Sequence, residues 1–70
     1  MVEVFKTDVR HTDQSMMLVR KLKTRLPGCC INFDLEDCDN VLRVEGEKFS
    51  TEGVIRVLNS CGFHCEVLAY

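Results

Sequence analysis

Apolar residues along this chain switch repeatedly between the alternation of a strand and the three-and-four spacing of a helix, and the order of those switches restricts the fold more than any other feature. Residues 2 to 9, Val-Glu-Val-Phe-Lys-Thr-Asp-Val, are rich in β-branched and aromatic types and read as a first strand. Val4 and Phe5 point to opposite faces there, so the pattern leaves its buried face open. Thr12 or Asp13 then offers a side-chain oxygen as the N-cap of a helix. Within it Leu18, Val19, Leu22 and Leu26 share one side, while Arg20, Lys21, Lys23 and Arg25 lie largely on the other. Pro27-Gly28 ends it, because proline disfavours helix in the residue before it and glycine accepts the left-handed terminal conformation.

Alternation returns in Cys30 to Leu35, with Ile31, Phe33 and Leu35 on one face and Asn32 and Asp34 on the other. Asp37-Cys38-Asp39-Asn40 supplies turn residues, and Val41 to Glu45 alternates again, so these two strands are expected to form a hairpin. Ser50 or Thr51 caps a second helix with Glu52 in its first turn and Val54, Val57, Leu58 and Cys61 as its inner stripe. Gly62 closes it. A last strand runs from His64 to Ala69, with Cys65, Val67 and Ala69 facing one way and His64, Glu66 and Leu68 the other.

Strand, helix, strand, strand, helix, strand is the α+β, ferredoxin-like split βαβ order: a four-stranded antiparallel sheet with two helices on one face. Short, right-handed connections lead to sheet order 4-1-3-2. The 70 residues make one domain, since a chain of this length buries only ~60% of its unfolded surface and has no room for a second core. In this topology the loops at 9 to 13, 36 to 40 and 61 to 64 meet at one end, where a loop-built site would form.

Nine Lys plus Arg against eleven Asp plus Glu give a net charge of -2, which lacks the basic footprint of a nucleic-acid binder. Met1 to Lys6 does not read as a signal peptide, and no stretch approaches the ~20 apolar residues of a membrane span. Five cysteines are an odd number and two are adjacent, so reduced thiols in a cytoplasm fit better than a secreted disulfide framework.

With these elements in place the chain resembles the heavy-metal-associated domain, the fold of copper chaperones and of the amino-terminal modules of metal-pumping ATPases. The resemblance covers nearly the whole chain: element order and lengths, the Leu26-Pro27-Gly28 helix ending, and Asn59-Ser60-Cys61-Gly62-Phe63, similar to that family's closing helix and Gly-Phe loop. The family holds a soft ion between the two thiolates of a Met-x-Cys-x-x-Cys motif in its first loop. Counted back from Pro27, the two cysteine positions fall on His11 and Gln14, and the methionine on Val9. One imidazole and an amide do not replace two thiolates for Cu(I), so the resemblance implies the fold and not copper transfer.

A different metal site is the alternative. His11, Cys38, Cys61 and His64 lie in or beside the three loops, a nitrogen and sulfur set that suits zinc or copper, although no pair has the tight spacing of a strong motif. Against it, Cys61 and Cys65 also fit apolar stripes, and His11 also fits a solvated loop histidine at a helix start. Cys29 and Cys30 belong at the opposite end, and a strained vicinal disulfide is not expected. Cys38 sits between Asp37 and Asp39, whose charges disfavour its thiolate.

Arg10 occupies the loop where acylphosphatases of this topology bind phosphate, but no glycine-rich nest surrounds it. The third strand has no aromatic residue on which to stack an RNA base. Four of the nine basic residues fall between 20 and 25, whereas seven of the eleven acidic ones fall between 34 and 52. That asymmetry points to an acidic protein surface docking on Arg20, Lys21, Lys23 and Arg25, as family chaperones dock through the same helix. The reading reached is a non-catalytic interaction or sensing module, monomeric or weakly dimeric, without the thiol clamp.

Overall fold

A computed structural model describes residues 1–36 and 38–68. In chain order its elements are β1 (Val2–Thr7), α1 (Thr12–Arg25), β2 (Cys30–Asp34), β3 (Val41–Glu45), α2 (Thr51–Ser60) and β4 (Cys65–Val67). The strands form one antiparallel sheet in the order β2-β3-β1-β4, so the order expected from the short connections is the one observed.

Registry settles the face that the alternation of β1 left open. Phe5 lies opposite Leu42 on one side and Val67 on the other, and Phe33 lies opposite Leu42, so these side chains share the face under the helices. Phe5, Leu42 and Val44 are fully buried there against Leu18 and Leu22 of α1 and Val54 and Leu58 of α2. Each fully buried aliphatic or aromatic side chain contributes about 1.5–3 kcal/mol of transfer free energy. Val4, Lys6, Arg43 and Asn32 belong to the open face, where Arg43 Nη2 lies 3.4 Å from Glu45 Oε1. Val67 shares the helix-side face with Cys65 but stays 45% exposed, because β4 is an edge strand of three residues with little above its end.

Several boundaries differ from those read in the sequence. The first strand stops at Thr7, yet Val9 beyond it is fully buried in the core. The first helix is capped by His11 and not by the Thr12 or Asp13 side chain: Ser15 N donates to His11 O (3.1 Å), which starts the helical ladder one residue earlier. Asp13 Oδ1 instead accepts from Gln14 N at 3.0 Å. The last strand spans three residues, and Ala69, assigned to it from the alternation, lies outside the described residues, as does Asp37 of the hairpin turn.

Ser50 caps α2 as expected, its Oγ accepting from Gly53 N at 3.0 Å. After α2, Gly62 adopts φ +88, and Gly62 N and Phe63 N donate to Asn59 O and Leu58 O. A Cβ in that left-handed conformation costs roughly 1–2 kcal/mol, which explains glycine there.

Candidate functional site

Three loops meet beyond the end of β1, and the chain ties them with specific hydrogen bonds. Thr7 N donates to Asp39 O (3.2 Å) and Thr7 Oγ1 donates to Asn40 O (2.6 Å), fastening the β2–β3 turn to β1. The same hydroxyl accepts from Val9 N at 3.2 Å, so one 5%-exposed side chain also sets the course of the loop leading to α1. Asp8 Oδ1 accepts from His64 N at 2.8 Å, which brings in the loop after α2. Asn40 takes φ +46, a left-handed conformation that asparagine tolerates better than most residues. Thr7 and Asp8 organise this end, and sequence reasoning missed both; a hydroxyl at the last strand position followed by a carboxylate is the only signal they leave.

Of the residues proposed as metal ligands, His11 is exposed at the N-cap of α1, with Gln14 half-exposed one turn on. Cys38 is exposed in the hairpin turn. Cys61 is the half-buried C-cap of α2, its sulfur 4.0 Å from Ser60 Oγ and packed against the core. His64 is exposed, with Nε2 3.6 Å from Glu66 Oε2. The loops that carry them are thus brought together, but among the described residues no three His, Cys, Asp or Glu side chains stand close enough to hold a metal ion. His11 and Gln14, an imidazole and an amide beside core-buried Val9, are not the two-thiolate donor set that a soft metal ion selects.

All five cysteines are free. Cys65 is buried beneath this loop cluster, and burial first, then the charges of Asp8 and Glu66, push its thiol up from 9.0 to about 12. It therefore stays a protonated apolar group at neutral pH. Cys29 packs against the core at the opposite end, and Cys30 is exposed beside it on the open side of the sheet.

The second predicted surface is built on α1. Ser15, Leu18 and Leu22 turn into the core, which leaves Arg20, Lys21, Lys23 and Arg25 exposed. Lys6, Arg43 and Arg56 each lie within 4 Å of a carboxylate, on Asp39, Glu45 and Glu52. Among the described residues none of the four α1 cations has such a partner: Asp34 and Glu45 sit on the open sheet face, Glu36 and Asp39 on the β2–β3 turn, Glu47 in the connection after β3 and Glu52 on α2. The cations divide between two grooves. Arg20 overhangs one of about 340 Å³ between α1 and β2, and Lys21 and Arg25 border one of about 240 Å³ between α1 and α2.

Among the described residues no helix is long and apolar enough to cross a membrane. No family model, no curated protein and no solved structure matches the chain.

Proposed function

We propose that the protein is a non-catalytic interaction or sensing module, similar to a heavy-metal-associated domain without its thiol clamp, that docks an acidic protein surface on α1. The observation that carries this reading is the row Arg20, Lys21, Lys23 and Arg25, exposed and without an intramolecular carboxylate partner among the described residues. Unpaired cations on a rigid helix offer a partner charge-assisted hydrogen bonds without first breaking internal ones. The arrangement also favours fast, salt-sensitive encounter.

The test is affinity capture with the native chain and with an Arg20→Glu, Lys21→Glu, Lys23→Glu variant as baits. The residues are exposed, so each replacement is expected to change stability by no more than about 0.5 kcal/mol. Partners held by the native bait and lost from the variant, with binding that weakens as salt rises, support the reading; the same partners on both baits overturn it.

Metal binding through His11, Cys38, Cys61 and His64 is the second reading, favoured by the hydrogen bonds that draw their loops to one end. A zinc or copper ion there would suit a metal chaperone-like role. Titrating reduced protein with Zn(II) or Cu(I) against a competing chelator tests it. Stoichiometric binding abolished by His11→Ala or Cys61→Ser would replace the first reading with this one.

A further inference from the structure

The groove between α1 and β2 opens onto an edge of the sheet. Among the described residues β2 bonds to β3 alone, leaving one side of its backbone without a partner strand. Edge strands are ordinarily protected by proline, lysine, a bulge or shortness. Cys30–Asp34 has neither proline nor lysine and runs in unbroken register with β3 for five residues. Above the edge, Met16, Val19 and Arg20 of α1 form one wall of the groove, and Ile31, Asn32 and Phe33 the other. Met16 is 57% exposed, a large apolar group held at the mouth of the groove.

Charge is distributed along this edge with opposite signs at its two ends. The short 26–29 connection places the end of α1 over the start of β2, so Arg20 and Lys23 lie toward Cys30, while Asp13 and Glu36 lie toward the strand's exit. The edge is complementary to itself when turned end for end. A two-fold axis through Asn32 sets Ile31 opposite Phe33 of a second copy, both on the helix side of the joined sheet. On α1 the same axis falls near residue 18, the middle of the helical wall of the groove. It brings Met16 beside Arg20 of the second copy, and Lys23 to the end that carries Asp13 and Glu36.

We infer that this edge is a homodimer interface: two copies of the chain join through β2 as antiparallel neighbours in an eight-stranded sheet, with their α1 helices antiparallel above the seam. Such an interface is isologous, each copy presenting the same patch. A foreign extended segment would satisfy the backbone edge equally well, but a second copy also sets Arg20 and Lys23 against the end that carries Asp13 and Glu36. The inference goes beyond the docking of an acidic partner: Arg20 and Lys23 serve both surfaces, but Lys21 and Arg25 on the α2-side flank stay open in the dimer, so a Lys21→Glu, Arg25→Glu variant should lose an acidic partner while dimerising as the native chain does.

A five-residue strand and one helix flank fall short of the ~800 Å² per partner typical of stable complexes, so the expected dissociation constant lies between about 1 μM and about 1 mM. Sedimentation equilibrium on the native, reduced chain is the first measurement. A monomer at concentrations up to about 2 mM overturns the inference, including the case in which a foreign segment uses the edge.

The second measurement is a charge exchange. Arg20→Glu with Lys23→Glu should weaken dimerisation at least about tenfold, and adding Asp13→Lys with Glu36→Lys should restore it, an outcome that a general loss of stability cannot produce. Dimerisation unchanged by the first pair overturns the inference. For register, Asn32→Cys in a Cys30→Ser, Cys38→Ser background places two thiols across the axis, within the ~4.4–6.8 Å Cα separation that a disulfide spans. Mild oxidation should link that variant into a dimer; failure to link under conditions where it sediments as a dimer refutes the proposed pairing.

Discussion

Replacing Thr7 by valine isolates the hydrogen bonds that fasten the loop cluster, because valine has nearly the shape of threonine and lacks only the hydroxyl. In the native chain this hydroxyl donates to Asn40 O at 2.6 Å and accepts from Val9 N at 3.2 Å, the latter bond being buried. Val9 N–H would be left without a partner inside the core, at a desolvation cost of about 1–3 kcal/mol, and the half-buried Asn40 carbonyl would lose a bond with a net contribution of about 0.5–1.5 kcal/mol. A loss near 2–3 kcal/mol is therefore expected from one oxygen atom. At about 2.1 cal/mol/K per residue, a 70-residue domain has an unfolding entropy near 0.15 kcal/mol/K, so Tm should fall by roughly 13–20 °C. Urea unfolding monitored by far-ultraviolet circular dichroism measures this, with Thr7→Ser as the control that keeps the hydroxyl. A Thr7→Val cost below about 0.5 kcal/mol, or one no larger than that of Thr7→Ser, would refute the assignment of Thr7 as the fastener of these loops.

Four further outcomes are expected. Burial of Cys65 keeps its thiol protonated in the folded chain up to about pH 12 while the unfolded thiol ionises at 9.0; the native state then binds more protons, so stability should fall as pH rises above 9.0, by up to about 1.4 kcal/mol per unit from this group, and the slope should flatten in Cys65→Val. Alkylation at pH 8 should accordingly label exposed Cys30 and Cys38 well before Cys65, as peptide mass analysis would show. Ser50→Ala should cost about 1 kcal/mol in urea unfolding by freeing Gly53 N. Gly46→Ala should destabilise measurably, since the new Cβ would lie 2.5 Å from Cys29 Sγ, and combining it with Cys29→Ala should recover most of the loss.

Much of the architecture was legible in local pattern. Leu42 and Val44 alternate with Val41, Arg43 and Glu45, and a strand with those bounds is what forms. Ser50 announces α2 because its capping oxygen acts three residues away, within the reach of local rules. The helix α1 begins a residue earlier than its polar side chains suggest because its cap is defined by the His11 carbonyl, which any residue has. At the last strand alternation set the start one residue early, at His64, because it reports side-chain chemistry and not pairing: His64 N donates to the Asp8 carboxylate, the strand begins at Cys65, and Leu68 N still donates to Val4 O at 2.8 Å.

The loop end divides in the same way. Its co-location follows from topology, but Thr7 and Asp8 act across 33 and 56 residues of sequence, on a carbonyl and an amide whose proximity is a product of the whole fold. The cations of α1 form a cluster in the sequence itself, whereas the lack of an internal carboxylate partner among the described residues depends on where the fold carries the acidic side chains.

The division of labour in the first loop has an evolutionary corollary. Val9 anchors the core and Thr7 and Asp8 supply the fastenings, whereas His11 and Gln14, at the mouth, contribute no side-chain hydrogen bond among the described residues. Substitution at these two sites is therefore expected to cost the fold little, which leaves the mouth of the loop cluster open to new side-chain chemistry while the fastenings beneath it stay fixed.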